Sequence, residues 1–259
     1  MRTLIAALKI TAFLLLSLGI IIPQRLIMLA SKGRISHIIP ELWHKGVCAI
    51  FGLKTEIKGT PNTASQTMFM SNHISYLDIP ILGATVKHTS FLAKKEAQSW
   101  PGFGFLADLQ RTAYIERKSS AIKRESDKIR KRIDQNQNLI LFPEGTSTDG
   151  INVRDFKSSL FALALSGTNP DLRIQPVTIA LQTTNGKKPE TLEDRRLYTW
   201  PLEDDIEMPT HLWRFAKTKG ATIRIVFHDI VNPADFENRK TLAKACHKIV
   251  SKGLQEFTP

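Results

Sequence analysis

The first twenty-two positions are almost without polar relief. Thr3 to Ile22 reads TLIAALKITAFLLLSLGIII, with Lys9 its one charge. As a helix this run is ~30 Å long, about one hydrocarbon core. Its uncharged part, Ile10 to Ile22, also suits a signal-peptide core, yet no small-x-small cleavage site follows and the chain runs into Pro23, Gln24 and Arg25. From Arg25 to Leu53 the chain stays rich in Ile and Leu but is interrupted by Lys32, Arg34, His37, Glu41, His44 and Lys45, with Trp43 among them. Apolar residues, basic residues and tryptophan together are what a helix in a lipid interface needs. Residues 1–54 therefore read as a retained membrane anchor followed by an interfacial helix, with a cleaved signal and a buried core helix as the alternatives. Arg2, Lys9, Arg25, Lys32 and Arg34 flank the apolar run on both sides, so charge sets no orientation, and an anchor entering one leaflet fits this symmetry.

Beyond residue 55 the pattern alternates between short apolar runs and longer amphipathic ones. The short runs predict strands at Thr67–Met70, Thr89–Ala93, Thr112–Ile115, Leu139–Phe142, Ile174–Leu181 and Thr222–Phe227. Helices are expected over Ser119–Gln135, with Ile122, Ile129 and Ile133 on one face, over Phe156–Leu165, and from about Phe236 to Leu254. Thr183–Pro209, polar and carrying three prolines, reads as a long surface excursion. Strands alternating with helices argue for an α/β fold, a mixed, largely parallel sheet flanked by helices, over residues 55–259 as one domain.

Composition narrows the function classes. Of 259 residues, 42% are hydrophobic and 23% charged, which excludes wholesale disorder, and a mean hydropathy of −0.14 excludes a polytopic membrane protein. The two cysteines, Cys48 and Cys246, lie far apart without metal-ligand spacing, so neither a disulfide framework nor a cysteine-based zinc site is expected. Lys and Arg number 36 against 24 Asp and Glu, a formal charge of +12, and this surplus points to an anionic partner. No aromatic-basic platform for single-stranded nucleic acid is evident, so no nucleic acid is expected.

Three stretches carry candidate chemistry. Asn72-His73-Ile74-Ser75-Tyr76-Leu77-Asp78 follows the first predicted strand, and the mouth of an α/β sheet at a strand end is where ligands sit. His73 suits proton abstraction near neutral pH, and Asp78 suits orienting it and stabilising the imidazolium. Within one continuous helix, residues five apart are about 500° and 7.5 Å apart and do not meet. Contact therefore requires His73 in a loop and Asp78 in the first turn of the next helix, a start that Ser75 as N-cap with Asp78 at the third helical position supports. The alternative is that Asp78 only completes this capping box. The second stretch, Leu139 to Thr146, ends a strand in Pro143 and presents Glu144, Gly145 and Thr146, either as a polar ligand loop or as ordinary turn chemistry. The third group, Lys94, Lys95, Arg117 and Lys157, places cations at strand ends and a helix start, where they suit a phosphate or remain solvated.

Taken in order, NHISYLD, RTAYIER, FPEGTS and IQPVTIA resemble the glycerolipid acyltransferase family, whose bacterial archetype is 1-acyl-sn-glycerol-3-phosphate acyltransferase; the resemblance covers roughly residues 65–185. It implies O-acyl transfer from an acyl thioester, on acyl carrier protein or coenzyme A, to a lysolipid hydroxyl, with no cofactor or metal. By position it implies His73 as general base, Asp78 as its orienting partner, and Arg117, Glu144, Gly145, Thr146 and Lys157 around the acceptor, with Lys94 beside them and Pro176 near the acyl channel. It also implies an N-terminal two-helix element in the inner membrane, the catalytic domain on the cytoplasmic face against anionic lipids. The aromatic stretch Trp100 to Phe105 suits an acyl tunnel, the interface or the core.

The departures from the family pattern bear on the acceptor. Ser147 stands where the family has Arg after Glu-Gly-Thr, Arg111 where it has Gly, and Ser159 where it has Gly; Glu-Gly-Thr-Ser-x-Asp-Gly is similar to the lyso-ornithine lipid branch, whose acceptor carries an amine. Lysophosphatidate is the expected acceptor and lyso-ornithine lipid the alternative. A thioester hydrolase and a non-catalytic membrane-binding protein are the rivals of other classes.

Overall fold

The structure, a computed structural model, describes residues 1–31, 33–100, 102–115, 137–165, 169 and 171–257. Arg117 and the helix expected over 119–135 lie outside the described residues.

Seven strands form one sheet: β1 (Leu53–Lys58), β2 (Thr67–Ser71), β3 (Thr89–Lys94), β4 (Ala113–Ile115), β5 (Asn138–Leu141), β6 (Arg173–Thr184) and β7 (Ala221–Phe227), in the order β1-β7-β6-β2-β5-β3-β4. Every neighbouring pair is parallel except β6 with β7, so the sheet is mixed and largely parallel, as the sequence pattern implied. Central β2 is buried along its whole length between β5 and β6. Its alternation sorts the core: Phe69 packs with Ile140, Ile179 and Ile225 on one face, while Met68 and Met70 pack with Leu139, Leu141 and Ile174 on the other.

The first face is covered by α1 (Arg2–Gly19), α3 (Ile38–Phe51), α4 (Asp78–Thr85) and α7 (Met208–Ala216); the second by α8 (Arg239–Gln255) and a 3-10 turn at Ser158–Leu163. Between them in sequence lie α2 (Ile21–Ala30), α5 (Phe103–Leu109) and the one-turn α6 (Leu192–Arg195). The helix expected at Phe156–Leu165 is instead that 3-10 turn, held to the loop after β5 by the Lys157 N–H donating to the Pro143 carbonyl at 2.9 Å. The last helix starts later than Phe236, where Asn238 and Thr241 form a capping box.

Helix α1 belongs to the core as well as to the surface. Ala6, Phe13 and Ser17 are buried, and the Lys9 ammonium donates to the Thr218 carbonyl at 3.0 Å. Its other face carries exposed Leu4, Leu8, Leu15 and Leu18, continued in α2 by Ile22, Leu26 and Leu29. Arg2–Ala30 is by length and composition apolar enough to cross a membrane, an 18-residue stretch of it reaching mean hydropathy 2.4. The interfacial expectation for the next segment needs one correction. Trp43 does not face outward: it is buried, stacks obliquely on Phe13 and donates from Nε1 to the Ser17 hydroxyl at 3.1 Å. Ile35, Ile38 and Leu42 are the exposed apolar residues there.

The excursion Thr183–Pro209 also differs from expectation. Its first two residues finish β6, and Tyr198, Thr199 and Trp200 are buried, because this segment closes over the loops that follow β2 and β5.

Helices α3 and α4 touch through Gly83, whose absent side chain makes room for the buried His44 ring; burial pushes His44 down to about 3, so it packs as a neutral ring. A methyl group at position 83 would overlap that ring. Gly83→Ala is expected to lower stability by about 1–3 kcal/mol despite its better helix propensity. Urea unfolding of the purified protein in detergent reads this, and an unchanged midpoint would contradict the packing.

Candidate active site

Strand β2 delivers the first motif to the carboxyl end of the sheet. As the chain leaves β2, the Asn72 side chain imitates one more rung of the ladder: its amide donates to the Ile179 carbonyl at 2.9 Å and accepts from the Ile179 N–H at 2.7 Å. This ties the first motif to the fourth, which lies in β6. Residues 73–77 then form a turn, and α4 begins at Asp78. His73 thus sits in the loop and Asp78 in the first turn, the arrangement their spacing demanded. The start is not a Ser75 capping box, however. Ser75 Oγ accepts weakly from Leu77 N at 3.3 Å, and Leu77 is the capping position.

Asp78 is completely buried and fully engaged. Its Oδ2 accepts from His73 Nδ1 at 2.8 Å, from Ile74 N at 2.7 Å and from Ser75 N at 3.0 Å. Its Oδ1 accepts from the Tyr198 hydroxyl at 2.8 Å. One carboxylate therefore holds the turn and the ring together, and the reading of Asp78 as a capping residue alone does not hold. A hydrogen on His73 Nδ1 facing this carboxylate leaves Nε2 as the ring's lone-pair nitrogen. The ring stacks on Phe142, with centroids 3.9 Å apart and planes 16° apart, which fixes its remaining rotation.

The second motif closes on His73 from the β5 side. Glu144, 2% exposed, accepts His73 N on Oε1 and Arg154 N on Oε2, each at 2.7 Å. Burial, reinforced by nearby Asp78, pushes its carboxyl up, the two N–H bonds pull it down, and it lies at about 7. Thr148 N donates to the His73 carbonyl at 2.9 Å. Gly145 has φ +69°, and a Cβ there would meet the Lys157 ammonium at 2.5 Å, so only glycine admits that approach. Arg111, in the place of a family glycine, also takes a left-handed φ of 59° and donates from Nη1 to the Ser36 hydroxyl.

A cavity of about 390 Å³ opens in front of the ring, lined by His73, Phe142, Gly145, Thr146, Lys94 and Glu96 among others. It shares Tyr76, Ile79, Phe91 and Trp100 with a second cavity, almost wholly apolar, that runs under α1 and α3 to Phe13, Val47 and Phe51. Trp100 and Phe103 of the aromatic stretch line this second cavity, and Phe105 is 40% exposed. Pro176 lies inside β6 opposite Met70 and lines neither cavity. Of the residues singled out in the sequence, His73, Asp78, Glu144, Gly145, Thr146, Lys157 and Lys94 come together here. Tyr198, Phe142 and Trp200 were missed; the aromatic pair flanking Thr199 in an otherwise polar stretch was the available signal. Among the described residues no group of His, Cys, Asp and Glu is placed to hold a metal ion.

Comparison with known proteins shows the family and the fold. The profile of the family described as Acyltransferase matches residues 54–180. The chain is 35% identical to a lyso-ornithine lipid O-acyltransferase of Rhodobacter capsulatus, over 80% of this chain and 72% of that protein. It is 29% identical to a 1-acyl-sn-glycerol-3-phosphate acyltransferase of Neisseria meningitidis, over 76% of this chain and 73% of that one. The crystal structure of the 1-acyl-sn-glycerophosphate acyltransferase PlsC of Thermotoga maritima shares the fold with TM-score 0.69 at 19% identity, over 99% of this chain and 97% of that one. With its motif residues assembled at one sheet end and a relative this similar across most of both chains, the protein belongs to the acyltransferase family.

Proposed function

We propose that this protein moves a fatty acyl group from a thioester, carried on acyl carrier protein or coenzyme A, to the hydroxyl of a lysolipid at the cytoplasmic face of the inner membrane. The observation that carries this reading is the His73–Asp78 pair at the mouth of a cavity that continues into an apolar one. His73 Nε2 takes the hydroxyl proton as the oxygen attacks the thioester carbonyl carbon. The carbon–sulfur bond then breaks, and the thiolate leaves with the proton returned from the imidazolium. Asp78 balances the imidazolium charge between these steps. A thioester is already activated, so the chemistry asks for no metal. The apolar cavity takes the acyl chain, while Thr146, Lys94 and Lys157 meet the acceptor head group, with Arg117 on the family pattern. Glu144 is the bracket that holds the His73 loop, since both its oxygens serve backbone N–H groups.

For the acceptor, lyso-ornithine lipid gathers the stronger support. Among the described residues, the charged side chains lining the first cavity, Lys94 and Glu96, are of opposite sign, which suits a zwitterionic head better than a phosphate. Ser147, in place of the family's Arg, is buried with its hydroxyl on the Trp200 carbonyl at 2.5 Å. The Rhodobacter relative, named for that acceptor, is also the more similar of the two enzymes compared over nearly the same span. Lysophosphatidate is the second reading, favoured by the Lys157 ammonium against Gly145. Residues 1–54 serve as the membrane element and 55–259 as the acyltransferase domain, with the exposed leucines of α1 and α2 in lipid.

Purified protein offered equal lyso-ornithine lipid and lysophosphatidate with an acyl thioester is expected to make mainly ornithine lipid. His73→Ala is expected to lose about 10²–10⁴-fold in rate with binding to vesicles intact. Fatty-acid release without any lysolipid would instead make the protein a hydrolase. Activity is also expected to rise with pH through about 7. Above that point Glu144 is ionised and accepts both N–H groups; below it, the protonated oxygen no longer serves one of them. Glu144→Gln imitates the protonated state at every pH, so its rate at pH 8 should fall about tenfold; a wild-type rate there would remove the bracket role. Finally, Leu8, Leu15 and Ile22 stand seven apart on the exposed face. Changing all three to Glu should free the protein from anionic vesicles in a flotation assay without altering its far-ultraviolet circular dichroism, because carboxylates are costly in hydrocarbon. Continued flotation would refute the anchor.

A further inference from the structure

We propose that Tyr198 is a positioning residue for acyl transfer, acting through Asp78 as the third member of a relay that runs Tyr198–Asp78–His73. The inference deepens the proposed reaction and rests on the reading of His73 as its base.

Tyr198 lies outside the residues that match the family profile, 54–180, in a stretch whose average composition is polar. The whole side chain is nevertheless inaccessible, and its hydroxyl donates to Asp78 Oδ1 at 2.8 Å. That oxygen is the one not used by His73, Ile74 or Ser75. The two sides of the carboxylate thus have separate tasks: Oδ2 holds the ring and the turn, and Oδ1 is held by the phenol. Burial and the facing Asp78 carboxylate push the phenol well above its usual range, so it stays a donor throughout the working pH.

The backbone around Tyr198 is fixed to the same site. Trp200 N donates to the Ile74 carbonyl at 2.8 Å, and Ser147 Oγ donates to the Trp200 carbonyl. Buried Arg195 reaches the Gly150 carbonyl from Nη2 at 2.7 Å and the Asp149 carbonyl from Nε at 3.2 Å. The Tyr198 ring meets Phe215 edge to face at 6.0 Å. A segment that clasps the His73 turn and the Glu144 loop in this way leaves the phenol no other place to go.

The sign of the effect follows from the charge. A hydrogen bond to the carboxylate spreads its charge and tempers its pull on a protonated His73. Without it the carboxylate holds the imidazolium more tightly, and His73 titrates at higher pH. The other titratable groups facing this trio are Glu144 from the β5 side, Tyr76 on the turn, Cys48 from α3, and Lys94 and Glu96 across the cavity, with Lys157 beside Gly145. Burial raises Cys48 to about 12 and pushes Tyr76 up, while Glu144, at about 7, titrates in the working range and contributes to any rate profile. The ring must therefore be read directly.

The test is Tyr198→Phe in the full-length protein, labelled with ¹⁵N-histidine, the His73 signal being assigned by its loss in His73→Ala. The His73 titration midpoint is expected to rise by about half to one pH unit. The kcat at saturating lysolipid should fall about three- to tenfold while KM stays within about twofold. Phe215→Leu disturbs the same packing and spares the hydroxyl; it should lower the melting temperature and leave the midpoint in place. An unmoved midpoint in Tyr198→Phe, or an equal rise in Phe215→Leu, would overturn the proposal and leave the base assignment standing. Full activity in His73→Ala would instead overturn the reaction on which it rests.

Discussion

A carboxylate sealed from water governs this molecule. Moving an unpaired ion into a protein interior costs several kcal/mol, and only near-complete hydrogen bonding offsets that. Asp78 has no exposure and four donors, two of them backbone N–H groups of its own turn. The demand for donors dictates the path of residues 73–77, since the chain must curl until Ile74 and Ser75 point their N–H groups back at the side chain. That curl is what brings His73 Nδ1 within 2.8 Å. The His73–Asp78 pair is thus a by-product of solving a burial problem, and the solution is rigid because no member can leave without stranding the charge.

The same constraint reaches into the lipid-facing layer. Asp78 opens α4, α4 packs on α3, and α3 packs on α1 through Trp43, Phe13 and the Trp43–Ser17 bond. The apolar cavity beyond the active site runs through this stack, so the helices with an exposed leucine face also form its walls. The exposed leucine face and the cavity wall are opposite faces of the same helices. Gln24 adds a polar pin: buried in α2, it donates to the carbonyls of Ser36 and of Leu109 in α5, the helix that carries Phe103 and Leu106 along the cavity. A polar side chain in so apolar a segment thus fastens the N-terminal helices to the cavity wall.

How much of this was legible follows the physics of each element. Strands β2 and β5 were read from continuous apolar runs, which is what a parallel strand buried on both faces must have. Strand β1 was not anticipated, because LKTEIK is exposed at five of its six positions and pairs along one edge only, leaving no alternation to find. His73 and Asp78 were legible through spacing, since five residues with an intervening helix start admit one way to meet. Trp43 misled because a tryptophan among charges suits an interface and a helix–helix seam equally well; only the third dimension shows Ser17 waiting for its N–H. The excursion misled for a related reason. A polar, proline-bearing stretch is a surface loop by composition, and the single phenol that drops inward is invisible to averages.

Glu144 shows what motif reading leaves out. A carboxylate in a substrate loop invites the reading that it binds substrate, yet here each oxygen already has a backbone partner, one from the His73 loop and one from Arg154. The neighbours that face the cavity are Thr146 and Lys94, with the Lys157 ammonium packed against Gly145, and on the proposed function these meet the acceptor. In such a loop the buried members fix shape and the exposed members choose the ligand. Replacing the family's Arg by Ser147, which turns inward to Trp200, moves one position from the second class to the first. On the reaction proposed above, exchanging inward for outward side chains changes the acceptor, while the contacts that hold the His73 loop stay as they are.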